Sequence, residues 1–173
     1  MLVQTLISIN NTIGPWLGEI CAVFYVIAAI ALAITWHKSR SKDALLVFGY
    51  LTALIVAVYL PDTWLNLFAL AAFHLMGYSL LFWLHSAHGM LRTVFGDYFM
   101  LMAGLMGLTD SIVAAWPIPI QVQVFIVDSL FLIMCVSSLF VCLNSYHNGG
   151  DIGTRRNDGN TEKNKAVDNA LKG

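Results

Sequence analysis

From Trp16 to Leu143 the chain alternates long apolar runs with short polar links. Runs of about 20 residues, at ~1.5 Å of rise each, match a hydrocarbon core roughly 30 Å thick. The pattern predicts an all-α, polytopic membrane bundle with five spans, at about 16–36, 44–60, 64–84, 94–115 and 120–143. Local chemistry punctuates these spans. Gly14-Pro15-Trp16 reads as a helix start, with proline in the first turn and an interfacial tryptophan. His37 through Asp43 form a hydrophilic link, and Asp43 is placed to cap the second helix. Pro61-Asp62 ends the second span and begins the third, which stops near Gly89; Trp116-Pro117-Ile118-Pro119 closes the fourth. Residues 1–12 are mildly amphipathic and expected at the interface. From residue 148 onward, Asn, Gly, Asp, Lys and Arg dominate and too little apolar surface remains to offset ordering entropy, so 148–173 is expected to be a disordered tail.

Charge fixes an orientation. In the five-span reading Lys38, Arg40 and Lys42 share one loop, Arg92 sits in another, and Arg155, Arg156, Lys163, Lys165 and Lys172 lie in the tail. All nine cations then fall on one side, which a four- or six-span chain would not allow. The positive-inside rule places that side in the cytoplasm, giving an N-out, C-in protein of the inner (plasma) membrane. The composition agrees: 58% hydrophobic and 11% charged, with a mean hydropathy of +0.74, excludes an ordinary soluble core. Cys21, Cys135 and Cys142 lie within apolar runs without CxxC spacing and read as small buried residues.

Polar groups inside the spans are the candidate chemistry. On the third span His74, Tyr78, Leu81, His85 and His88 share one helical face with Ala71 and Gly77. His74 falls roughly 15 Å below the boundary marked by Trp64, close to mid-bilayer. On the fourth span Ala103, Gly107 and Ser111 make a small-residue seam for close helix packing, and Asp110 lies on the same side as Gly107. On the fifth, Gln121, Asp128, Cys135, Cys142 and Tyr146 share a face, so Asp128 is expected to point inward. No Lys or Arg lies within the spans to neutralise Asp110 and Asp128. A buried carboxylate without a countercharge costs several kcal/mol and binds a proton or a cation, or pairs with an imidazolium. The expected ion or proton site is therefore His74, Asp110 and Asp128, with Tyr78 and Gln121 as hydrogen-bond partners. Ion- or proton-linked permeation or sensing follows as the leading function, in a non-enzymatic protein that requires no cofactor.

Two other classes stay open. Intramembrane Asp and His can simply knit helices together, which suits an accessory or assembly subunit of a membrane complex or a holin-like pore former. Alternatively, His37, His85, His88 and His147 gather at the inner boundary, and the i, i+3 spacing of His85 and His88 suits two ligands of zinc, iron or copper in a metal-dependent membrane oxidoreductase. Nucleophile-elbow, P-loop and dinucleotide-binding motifs are all missing from the sequence. The expected partners are the lipid bilayer and either further copies of the chain or a larger membrane complex, with no nucleic acid.

Overall fold

The computed structural model describes residues 2–58, 64–87, 91 and 93–147. Within these residues the chain is all helical, with no strand. Its elements are α1 (Leu2–Ser39), α2 (Lys42–Val58), α3 (Trp64–Ala87), α4 (Val94–Ala115) and α5 (Ile120–His147). The expected tail at 148–173, His88, Arg92 and the Pro61-Asp62 turn lie outside the described residues.

Helix α1 departs most from expectation. It does not start at Pro15 but runs unbroken through it for 38 residues. A proline withholds only its own N–H from the helix, and the turns on either side of Pro15 keep their bonds. At its far end Arg40 adopts φ 52° and its N–H bonds Trp36 O at 2.8 Å, a left-handed closure that glycine usually supplies. α2 starts at Lys42, one residue before the expected cap, so that Asp43 lies in its first turn. α4 matches its expected bounds: Thr93 Oγ1 accepts from Gly96 N at 3.1 Å, and Asp97 meets the positive end of the helix dipole. A side chain at Gly96 would collide with the Leu91 carbonyl, so that turn admits only glycine. α5 continues one turn beyond its expected end at residue 143.

Packing arranges the helices in a ring, in the order α1, α5, α4, α3, α2 and back to α1. Neighbours in sequence run antiparallel. His74 lies beside Asp110 and His85 beside Asp97 across α3 and α4, and Phe95 stacks on Phe140 at 4.7 Å across α4 and α5. The closing pair, α1 and α5, is parallel: Cys21 Sγ donates to Asp128 O at 3.2 Å, Tyr25 meets Phe131 at 6.2 Å, and Lys38 Nζ sits 4.6 Å over the Tyr146 ring. Nineteen residues separate Leu2 from Cys21 but only eight separate Ile120 from Asp128, so about eleven residues of α1, roughly 16 Å, project beyond α5.

The ring encloses side chains. Leu32, Leu51, Leu81, Phe99, Met106 and Met134 are all at most 2% exposed and fill its centre. Its outside is apolar, with Val23, Val26, Ile30 and Ile34 exposed along α1 and Leu101, Leu105, Leu108 and Ile112 along α4. Contiguous apolar surface on this scale is incompatible with water and suited to lipid. α1, α4 and α5 are each long and apolar enough to cross a membrane. The exposed Trp16 and Trp36 are twenty residues apart on α1, about 30 Å, which is the thickness of a hydrocarbon core.

Candidate functional site

On the face of α3 read from the sequence, Ala71, His74 and Leu81 are 7%, 2% and 0% exposed, while Gly77, Tyr78 and His85 are partly buried. On α4 the buried face carries Ala103, Met106, Gly107, Asp110 and Val113. Their meeting places His74 Nε2 2.7 Å from Asp110 Oδ2, with the two side chains 2% and 3% exposed. The contact is set by proximity; among the described residues no donor is aligned on Oδ2 as a hydrogen bond. Oδ2 thus retains acceptor capacity inside the protein.

A third member comes from α2. The Tyr50 hydroxyl lies 3.1 Å from His74 Nδ1 in a buried contact, so both ring nitrogens of His74 have an oxygen beside them. The partners assign the tautomer. A carboxylate at Nε2 favours the proton there, which leaves Nδ1 to accept from the Tyr50 O–H. Phe73 and Phe99 enclose the tyrosine, with Phe73 stacked on it at 6.1 Å and Phe99 edge-on at 6.5 Å.

Glycines make this approach possible. A Cβ at Gly77 would lie 2.6 Å from Tyr50 Cε2, and one at Gly107 would lie 3.3 Å from His74 Cβ. At Gly104 it would lie 2.9 Å from Tyr78 Cε2, so the Tyr78 ring rests on α4 one turn from His74. The small-residue seam thus joins α4 to α3 within one chain. Ala103 is fully buried in the core, while Ser111 Oγ turns back to Gly107 O at 2.8 Å.

Asp128 does not join this group. It is half-buried on α5, where its carbonyl receives the Cys21 thiol, and among the described residues no hydrogen bond or ion pair links its carboxylate to His74 or Asp110. Gln121, expected as a hydrogen-bond partner, is exposed at the start of α5. The expected trio becomes Tyr50, His74 and Asp110. Contact geometry explains the change: α5 packs between α4 and α1, and on its α1 side the backbone carbonyl of Asp128 meets Cys21. Tyr50 carried a signal that went unread, a phenol in the middle of a 17-residue apolar helix, where its hydroxyl must find a partner.

At the opposite end of the seam His85 Nε2 lies 3.0 Å from Asp97 Oδ1. His37 and His85 belong to no group of three possible metal ligands among the described residues. His88 lies outside those residues, and of His147 only the backbone is described. The cations Lys38, Arg40 and Lys42 sit at this same end, away from the buried pair; Lys38 covers Tyr146, and Arg40 lies 5.4 Å from the Trp36 ring.

Chemically, the site is a sealed imidazole between a phenol and a carboxylate. With a neutral ring and an ionised Asp110 it carries one net negative charge; one added proton makes it neutral, placed either on the ring or on the carboxyl. Compared with protein-family models, curated protein sequences and solved structures, the chain matches none.

Proposed function

We propose that the chain is a five-span, N-out, C-in protein of the plasma membrane whose buried Tyr50, His74 and Asp110 exchange a proton, making it a proton-linked permeation or sensing protein. The observation that carries this is the 2.7 Å contact of His74 with Asp110 at 2% and 3% exposure, with Tyr50 on the second ring nitrogen. Support for the topology comes from the alternating helix directions, the interfacial tryptophans of α1 and the cations gathered at one end.

Protons are favoured over larger ions for a physical reason. A metal cation needs several oxygen ligands or a wet cavity, and the centre of the ring is filled by Phe99, Met106 and Met134. A proton needs only a chain of groups that accept and donate. When a proton arrives, Nδ1 becomes a donor and Tyr50 must turn from donor to acceptor, so one protonation reorients a hydroxyl that links α2 to α3.

The test is proton entry into liposomes carrying the purified protein and a trapped pH-sensitive dye, driven by a potassium diffusion potential. The wild type is expected to acidify the interior, and His74→Gln and Asp110→Asn to abolish entry. Entry unchanged in both variants would refute the assignment.

A further inference from the structure

His85 and Asp97 repeat, near the cationic end of the α3–α4 seam, the arrangement of His74 and Asp110. Exposure grades along the seam, from 66% at Asp97 through 19% at His85 to 2% at His74. One pair is therefore in contact with solvent and the other is sealed. His85 Nδ1 is buried and has no hydrogen-bond partner among the described residues, so the ring nitrogen away from Asp97 faces protein. An imidazole held only by an ion pair to a carboxylate at Nε2 would leave Nδ1 wet; here it is enclosed.

Eleven residues separate His74 from His85, about 16 Å along α3, too far for a direct transfer. Tyr78 stands between them with its ring on Gly104, and no hydrogen bond engages its hydroxyl among the described residues. Below it Leu81 and Met100, 0% and 5% exposed, close the seam before His85 is reached. Among the described residues, the other charged or titratable groups at this end include His37, Lys38 and Arg40 from α1 and the turn after it, Lys42 and Asp43 from α2, Tyr98 from α4 and Tyr146 from α5.

We infer that His85 and Asp97 are the inner exchange station of the same proton path, separated from the buried pair by the Leu81 and Met100 plug and joined to it through Tyr78 when the seam opens. The inference rests on the proton reading above. A proton from water passes through Asp97 to Nε2 of His85 in its Nδ1–H tautomer as Nδ1 releases its proton across the opened plug to the Tyr78 hydroxyl, which gives up its own proton to the His74–Asp110 pair, and the His85 ring then resets by exchanging tautomers. Each transfer makes one O–H or N–H bond as it breaks another, and no further reactant is needed.

Proton entry is measured for the wild type, His85→Ala, Asp97→Asn and His74→Ala, each with and without added imidazole. His85→Ala is expected to lower entry on the order of 10²-fold, the usual contribution of a positioned proton carrier. Imidazole should restore it there but not in His74→Ala, whose cavity is sealed. Asp97→Asn, at a largely exposed position, should lower entry while the bundle stays folded, with only the small drop in unfolding temperature that loss of a helix-dipole charge brings. Wild-type rates in both His85→Ala and Asp97→Asn, with His74→Ala inactive, would remove the inner station and leave the buried pair standing. Loss in His85→Ala without imidazole rescue would assign His85 a packing role and overturn the inference. An inactive wild type would remove both readings together.

Discussion

At the scale of single residues, charge balance governs the site. Asp110 is 3% exposed and its only charged or chargeable neighbour within bonding distance among the described residues is His74. Removing His74 leaves an uncompensated carboxylate, and losses of about 3 to 5 kcal/mol are typical of such breaks. His74→Gln alone is therefore expected to destabilise the bundle on that scale, and adding Asp110→Asn to recover most of the loss. Thermal unfolding of the two single variants and the double variant in detergent measures the coupling; strictly additive losses would contradict the pairing. Asp110 and His74 were legible from sequence because an ionisable residue inside an apolar run stands out. Asp128 stood out equally, and its different fate was not legible, since helical periodicity gives a face but not which neighbour meets it. Tyr50 was missed because a tyrosine in an apolar helix looks like ordinary core.

At the scale of elements, glycines decide which helices touch. Gly77 admits the Tyr50 ring from α2 and Gly107 admits the backbone of α3. Gly77→Ala would place a methyl 2.6 Å from Tyr50 Cε2 and force the ring aside. The expected cost is about 1 to 3 kcal/mol of overpacking, together with loss of the tyrosine bond to Nδ1. Proton entry in Gly77→Ala should then match that of Tyr50→Phe; wild-type entry would show that the hydroxyl contributes nothing. The four-residue spacing of small residues on α4 was legible beforehand, but not their partner, which is α3 of the same chain. The proline start expected at residue 15 failed because proline withholds only its own N–H, and α1 keeps its helical bonds on both sides of it.

For the whole molecule, the antiparallel succession of helices and the parallel closure of α5 on α1 put the first residues and the cationic turn at opposite ends. The three native cysteines are buried, at 0% to 5% exposure, and silent to a bulky reagent. Ser8→Cys and Ser39→Cys therefore report topology cleanly. An impermeant maleimide applied to intact cells should label the first and spare the second; labelling of both from outside would contradict the N-out reading. The five-element organisation was legible from apolar runs and punctuation alone. The ring order was not, because each run looks equally lipid-compatible from every side.

The central claim is that His74 holds an exchangeable proton between Tyr50 and Asp110. Nitrogen-15 magnetic resonance of histidine-labelled protein in bilayers reads it most directly. The account predicts a His74 ring protonated at Nε2 and accepting at Nδ1, with Tyr50→Phe shifting only the Nδ1 signal and Asp110→Asn only the Nε2 signal. A His74 spectrum indifferent to both substitutions would contradict it.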